Sequence, residues 1–206
     1  MTSGKHLSRL GLEQINLESE RLLLRPLSLD DTAMATALFT DPDVVRFVCD
    51  LSTPDAIAAQ IHTNIGRGAG GRIGIWSATR KDTGEKIGSC VLLPVPIEED
   101  DTDWSQVVED CYPEGEIEVG YLLRPQAWGQ GFATEICQRL LRFGFEMTSL
   151  CEIVATTDPE NTASQHVLAK CGLRSEGLQR AYATDDCSFF RIKRDEWVAR
   201  QNAPRD

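Results

Sequence analysis

The strongest fold signal in this chain is a strand, a glycine-containing loop and a helix in direct succession. Residues Ile117 to Leu123 are rich in β-branched and large apolar side chains, which predicts a strand. Pro125 ends that strand because proline cannot donate to a sheet ladder. Beyond the loop, apolar or small residues recur at three- and four-residue steps, which predicts a helix; they are Ala133, Ile136, Cys137, Leu140, Leu141 and Gly144.

The loop between this strand and this helix has the properties of an anion site. Gly129 and Gly131 permit a tight turn with positive φ and place no side chain over it. Unpaired N–H groups would then point outward at the positive end of the helix dipole, which favours a phosphate or pyrophosphate. An ordinary strand-to-helix turn could carry the same two glycines, so the loop alone does not define a function.

The residues around the loop make the signal specific. The pattern Gln126-x-x-Gly129-x-Gly131 resembles the Gln/Arg-x-x-Gly-x-Gly/Ala signature of the GCN5-related N-acetyltransferases (GNAT). The wider sequence resembles the RimJ/RimL-like branch of that superfamily, over roughly residues 18 to 198. Five pieces in the same order carry the resemblance: Glu20–Pro26, Glu118–Tyr121, Trp128–Glu135, Asn161–Ser164 and Lys170–Leu173.

The resemblance implies the fold. We expect a single α/β domain with a mixed, mostly antiparallel sheet that splays at its central strand and carries helices on both faces. The domain would span residues 18–206, with an acidic insertion at about 98–115, and residues 1–17 would form an N-terminal arm or short helix. At the C-terminal end, strands over 178–183 and 188–193 would form a hairpin around Asp185-Asp186.

The resemblance also implies where acetyl-CoA, the co-substrate of this family, would bind. The pyrophosphate would lie on the loop and first helical turn, and pantetheine would follow the backbone of the central strand. The Asn161 side chain would bond the pantetheine amide, although Asn161 could equally be a plain helix start after Asp158-Pro159. The donor-binding set is therefore Leu122, Leu123, Arg124, Gly129, Gln130, Gly131, Phe132, Ala133, Thr134 and Asn161.

Acetyl transfer to an amine requires a base, and Glu118 is the candidate. It lies in an apolar strand, and a carboxylate withdrawn from water has a raised pKa and accepts protons better near neutral pH. Glu118 could instead form a salt bridge on an exposed sheet face, or Glu116 could be the functional carboxylate. A water molecule between carboxylate and amine is compatible with the same chemistry.

The proton donor for the leaving thiolate is less well defined. Many members of the family carry a tyrosine seven residues after the equivalent of Asn161, and this chain has Leu168 there. Ser164 is therefore the candidate acid, or the thiolate leaves without enzymatic protonation. The sequence predicts acetyl-CoA-dependent N-acetylation of a primary amine, either a protein N-terminus or a small amine. A catalytically silent acyl-CoA-binding sensor is the alternative.

Composition narrows the classes of partner. The net charge of −11 and the absence of a basic stripe argue against nucleic-acid binding, and no apolar run is long enough for a membrane span. The three histidines lie far apart in the sequence, so no metal site is expected. Seven cysteines without a Cys-x-x-Cys pair indicate free, mostly buried thiols in a reducing cytoplasm, among them Cys90, Cys137, Cys151 and Cys171. The resemblance also makes a homodimer an expectation.

The acidity is concentrated in one stretch. From Glu98 to Glu118 the chain carries ten Asp or Glu and no Lys or Arg. This stretch could be a solvated, partly mobile insertion, or an acidic rim that attracts a cationic acceptor, and the two are compatible.

Overall fold

The computed structural model describes residues 7–203 and contains one eight-stranded sheet. The strand order is β1-β2-β3-β4-β5-β6-β8-β7, and only β5 and β6 are parallel neighbours. The expected mixed, mostly antiparallel sheet is therefore confirmed. The strands are β1 (Leu17–Glu18), β2 (Leu22–Pro26), β3 (Gly74–Arg80), β4 (Lys86–Pro94), β5 (Ile117–Leu123), β6 (Glu152–Thr157), β7 (Arg174–Ala181) and β8 (Thr184–Lys193).

Helices cover both faces of the sheet, as the resemblance implied. They are α1 (Leu12–Ile15), α2 (Thr32–Phe39), α3 (Pro42–Val45), α4 (Pro54–Asn64), α5 (Phe132–Met147), α6 (Thr162–Cys171) and α7 (Arg194–Asn202). The apolar stripe of α5, including Ile136 and Leu140, packs in the main core with Val119 of β5. On the opposite face, Leu38 of α2 and Ile61 of α4 form a second cluster against which Leu122 packs. Successive residues of β5 thus serve opposite faces.

The segment before residue 18 packs on the domain. Leu10, Ile15 and Leu17 are buried members of the main core, and β1 pairs with β2. The short helix expected in this segment is α1. Residues 1–6 of the expected arm lie outside the described part of the chain.

The C-terminal hairpin differs from the expectation. Its strands pair Ala181 with Thr184, so the turn consists of Tyr182 and Ala183 rather than Asp185-Asp186. Tyr182 and Ala183 have φ of 53° and 55°. Left-handed backbone at both turn positions usually selects Asn-Gly, and Tyr-Ala does not carry that signal, so the sequence did not indicate this turn. Cys151 is a second correction, since it is exposed just before β6, whereas Cys90, Cys137 and Cys171 are buried free thiols.

The sheet opens between β5 and β6. These strands share a single register pair, Glu118 with Val154, after which they diverge. The N–H of Arg124 donates to Ile87 of β4, and the carbonyl of Glu116 accepts from Val95 just beyond β4. Because backbone groups alternate sides along a strand, those of Tyr121 and Leu123 face away from β4 and into the opening. The expected splay is therefore present, and it begins directly beyond Glu118.

Candidate active site

The loop that precedes α5 presents a row of backbone donors. Gly129 and Gly131 have φ of 70° and 81°, and Gly131 is the N-cap residue that directly precedes α5. The first N–H of α5 with a backbone acceptor is that of Glu135, which donates to Gly131. Within residues 7–203, the N–H groups from Gly129 to Thr134 have no acceptor at hydrogen-bond distance, as expected at a helix N-terminus. The geometry suits a pyrophosphate, as the sequence predicted.

Arg21, in the turn between β1 and β2, contacts this loop and holds it in place. Its guanidinium donates to the carbonyl of Gln130 at 2.9 Å and to Glu135 at 2.7 Å, and it lies over the Phe132 ring. Glu135 also accepts from the Arg21 N–H and from Ser19. These contacts hold the pKa of Glu135 below its ordinary value against the opposing effect of its burial. A cation therefore lies beside the donor row, a feature that sequence spacing could not reveal.

Fewer backbone groups of β5 are available to pantetheine than the sequence suggested. The backbone of Leu122 and Arg124 points to β4, so within the predicted stretch only Leu123 faces the opening, together with Tyr121. The indole N–H of Trp128 donates to the Leu123 carbonyl at 2.7 Å, which leaves the Leu123 N–H as the available group. Trp128 is 47% exposed, so it closes the strand end from outside and is not buried beneath the loop.

Glu118 occupies the point at which β5 and β6 separate. Its carboxyl is 6% exposed and accepts from Thr156 at 3.1 Å and from the Tyr182 hydroxyl. Burial raises its pKa from 4.5 to about 7, and the two hydroxyl hydrogen bonds oppose that rise. Among residues 7–203, no cation pairs with Glu118, whereas Glu116 forms a salt bridge with Arg191. The geometry therefore favours Glu118 over Glu116 as a proton acceptor near neutral pH.

A second pair of hydroxyls lies between β5 and α6. The Tyr121 hydroxyl is 3.1 Å from the Ser164 hydroxyl, and burial raises the pKa of Tyr121 above its ordinary value. Asn161 begins α6 and accepts from the Ser164 N–H at 3.1 Å, so it does cap the helix. Within residues 7–203 its amide NH₂ has no acceptor, which leaves this group available to a ligand. Leu168 is buried, one helical turn beyond Ser164.

The acidic insertion is anchored to the domain. Glu98 pairs with Arg180 of β7 at 2.8 Å, and Asp103 accepts from the Ser105 N–H at 3.0 Å. Further along, the carbonyls of Val108 and Glu109 accept from the loop that precedes β3. Thr102 is buried, whereas residues 99–101 are exposed. The insertion is therefore a folded excursion with a short acidic crest, not a free loop.

Comparison with known proteins identifies the family. Residues 21–174 match the model of the acetyltransferase (GNAT) domain. A protein of Aspergillus fumigatus named FsC-acetyl coenzyme A-N(2)-transacetylase is 30% identical over 198 residues, which cover 91% of this chain and 80% of that protein. The chain therefore belongs to the GNAT acetyltransferases, which transfer acetyl groups from acetyl-CoA.

Solved structures share the fold at lower identity. Spermidine N-acetyltransferase from Vibrio cholerae, in complex with CoA and spermine, superimposes with a TM-score of 0.66 at 17% identity, covering 87% of this chain and 99% of that one. RimL, a ribosomal L7/L12 α-N-protein acetyltransferase in complex with coenzyme A, gives a TM-score of 0.65 at 14% identity, covering 85% and 95%. These likenesses support the GNAT fold without distinguishing the RimJ/RimL branch.

Two further observations concern the described residues only. Within residues 7–203, no three His, Cys, Asp or Glu side chains are grouped as metal ligands would be. No helix in that range has the length and apolar character needed to cross a membrane.

Proposed function

We propose that this chain acetylates a cationic primary amine by direct attack of the amine on the thioester of acetyl-CoA, with Glu118 as the base. The observation that carries the proposal is the position of Glu118. A buried carboxyl with a pKa of about 7 lies where β5 and β6 diverge. The backbone of Tyr121 and Leu123 faces the same opening, and β5 then leads into the loop that carries the donor row. One strand, β5, would thus connect the base to the donor site.

The donor row and the strand edge would hold the co-substrate. The N–H groups of Gly129, Gln130, Gly131, Phe132, Ala133 and Thr134 would bind the pyrophosphate, with Arg21 adding positive charge. The Leu123 N–H and the side-chain amide of Asn161 would bond pantetheine. Acetyl-CoA supplies the activated acyl group, and the chain's own groups orient it and move protons.

The Tyr121–Ser164 pair would protonate the departing thiolate. The two hydroxyls are within hydrogen-bond distance of each other, and burial keeps the Tyr121 phenol protonated, as a donor requires. Tyr121 of β5, acting through Ser164, would thus take the role of the tyrosine that many family members carry on α6, where this chain has Leu168. This arrangement extends the sequence-based assignment of Ser164 alone.

We expect Ser164→Ala to lower turnover by roughly tenfold and Tyr121→Phe by a similar factor, with the double variant no worse than either single one, because the two hydroxyls act as a unit. Steady-state kinetics with acetyl-CoA and a saturating amine would measure these effects. Multiplicative losses in the double variant would contradict a shared proton path.

The chemistry of the acceptor follows from charge. A primary amine is protonated at neutral pH, and the crest Glu99, Asp100 and Asp101 is exposed next to the anchored part of the insertion. Among the proteins compared, one acts on spermidine by its name and another on a protein α-amino group. A polyamine and a protein N-terminus present the same ammonium group, so both belong in the acceptor panel.

Salt should weaken capture of the acceptor if the crest steers it. We expect kcat/KM for the amine to fall with added salt, since exposed charges are screened over about 10 Å at 0.1 M. Neutralising Glu99, Asp100 and Asp101 to Gln and Asn should flatten this dependence without changing turnover at saturation. Glu98 and Asp103 stay unchanged because they pair with Arg180 and Ser105.

The matched control removes the same charge elsewhere. Glu13, Asp43 and Asp55 are exposed, lie outside the insertion and form no salt bridge within residues 7–203. Their joint neutralisation should leave the salt slope of kcat/KM as in the native chain. If the crest variant and the native chain have the same salt slope of kcat/KM, the crest does not attract the acceptor and is only a solvated surface.

The proposed function is tested by thiol release from acetyl-CoA across a panel of polyamines, small monoamines and N-terminal peptides. Mass spectrometry would identify the acetylated product. Amine-dependent release with an N-acetylated product supports the proposal. Tight binding of acetyl-CoA without release for any amine would instead support the silent acyl-CoA-binding alternative.

A further inference from the structure

The carboxyl of Glu118 is separated from solvent by two hydroxyl groups. Thr156 donates to one oxygen and Tyr182 to the other, while the Glu118 side chain itself is almost fully buried. An amine that approaches Glu118 past Thr156 or Tyr182 would meet a hydroxyl before the carboxylate. Both Thr156 and Tyr182 are only half-buried.

Tyr182 has this position at a conformational cost. Its φ of 53° is left-handed backbone, which a bulky residue seldom adopts, and Ala183 beside it is also left-handed. Gly or Asn would form the same two-residue turn with less strain. Strain of this kind persists where the surrounding structure holds it, and it concentrates at functional sites.

The turn is held in place by the start of the acidic insertion. The N–H of Tyr182 donates to Pro96 at 2.9 Å, and that of Ala183 donates to Ile97 at 3.1 Å. Arg180, just before the turn, bonds Glu98 and Asp185. The hairpin tip is thus docked so that the phenol points at Glu118.

We propose that Tyr182 is a catalytic residue that relays the acceptor's proton to Glu118. The inference rests on the proposed N-acetyltransferase function and adds a group to its proton path. The ammonium of the acceptor gives a proton to the Tyr182 oxygen while Tyr182 gives its own hydroxyl proton to Glu118. Tyr182 is neutral before and after, the carboxylate becomes a carboxylic acid, and the amine gains its free electron pair.

The rest of the reaction uses groups already described. The amine nitrogen bonds the acetyl carbon, the carbon–sulfur bond breaks, and the thiolate takes its electron pair and a proton from the Tyr121–Ser164 pair. The amide nitrogen loses its second proton to solvent, which reprotonates that pair, and Glu118 then releases its proton to water. One proton per turnover leaves the enzyme, as conversion of an ammonium to an amide requires.

Tyr182 suits this role better than Thr156. Burial, and then the neighbouring Glu118 carboxylate, raise the pKa of the Tyr182 phenol above its ordinary value, so Tyr182 stays neutral. It therefore takes up the proton of the amine only as it gives its own hydroxyl proton to Glu118, and a phenol is acidic enough for such a concerted exchange. An aliphatic hydroxyl such as that of Thr156 is much less acidic. We therefore assign Thr156 to positioning Glu118 and Tyr182 to the relay.

The test compares Tyr182→Phe with Thr156→Val in the full chain. Both variants lose one hydroxyl that bonds Glu118 and keep the bulk of the side chain, and the Tyr182 backbone contacts to Pro96 do not involve the phenol. Both should move the acidic limb of kcat/KM to higher pH, since each removes a bond that lowers the pKa of Glu118. On the high-pH plateau, Tyr182→Phe should lose about 100-fold in turnover. Thr156→Val should lose less than about tenfold.

The outcomes separate the relay from the proposed function. If the native chain shows no amine-dependent thiol release, the proposed function fails. If the native chain is active and the two variants lose turnover equally on the plateau, Tyr182 only positions Glu118 and the relay is overturned. Calorimetric titration with acetyl-CoA, expected to give native affinity in both variants, checks that each is folded and binds the donor.

Discussion

Glu118→Gln is expected to lower turnover by about 10²–10⁴-fold while acetyl-CoA affinity stays at the native value. Glutamine keeps the shape of the side chain and can bond the hydroxyls of Thr156 and Tyr182, but it cannot accept the proton of an ammonium. The carboxyl lies on the face of β5 opposite α5, and the donor row lies at the start of α5, so binding should be unaffected. Single-turnover kinetics and calorimetric titration would measure the two effects separately.

The same substitution should stabilise the fold at high pH. The pKa of Glu118 is raised from 4.5 to about 7 in the folded chain, so the folded state resists ionisation. The contribution of Glu118 to stability is therefore most favourable below pH 4.5, falls as pH rises from 4.5 to about 7, and stays lower above that. A rise of this size corresponds to about 3 kcal/mol. Glu118→Gln should raise the free energy of unfolding by up to that amount at pH 8, with no gain near pH 4.

Denaturant titrations at the two pH values would test this cost of function. The matched control is Glu116→Gln, because Glu116 is paired with Arg191. The control should not be more stable than the native chain at either pH. A Glu118→Gln protein that is no more stable than the native chain at pH 8 would mean that the carboxyl is well solvated and poorly suited as a base.

Gly131→Val is expected to weaken acetyl-CoA binding by about 100-fold or more, or about 3 kcal/mol. Gly131 has a φ of 81° at the start of α5, and a β-branched side chain resists that conformation. A Cβ at this position would also lie 3.5 Å from the Arg21 guanidinium, beside the row of donors. Calorimetric titration of the folded variant would measure the loss.

Gly177→Val provides the matched control. Gly177 has a φ of 85° with no atom within 4 Å of an added Cβ, and it lies on β7 at the far edge of the sheet. The backbone penalty should be similar, while acetyl-CoA affinity should not change. Equal affinities in the two valine variants would remove the loop from the donor site.

The fold could be predicted from sequence because its signals are local. The apolar spacing of α5, the glycines of the loop and the strand-like run of β5 act within a few residues of one another. The same holds for α6, which is capped by Asn161 at its start and by Gly172, with a φ of 97°, at its end. Resemblance supplied the mostly antiparallel character of the sheet and its splay, which no local pattern specifies.

The surroundings of the base could not be predicted in this way. Tyr182, in the turn between β7 and β8, and Thr156, on β6, lie 64 and 38 residues away from Glu118 in sequence. Tyr182 also occupies a turn whose residues disfavour it, because docking against Pro96 and Ile97 overrides local preference. The contact of Arg21 with the loop was not predicted for the same reason, because Arg21 and Gln130 are 109 residues apart in sequence. Such contacts follow from tertiary packing alone.

The pH dependence of kcat/KM for the best amine tests the central claim most directly. Measured between about pH 5.5 and 8.5, kcat/KM should rise through a single ionisation near pH 7, the pKa of Glu118. The residual activity of Glu118→Gln should lack that step, because no group remains to be deprotonated at the site. A native profile without a step in this range, or the same step in both proteins, would contradict Glu118 as the base.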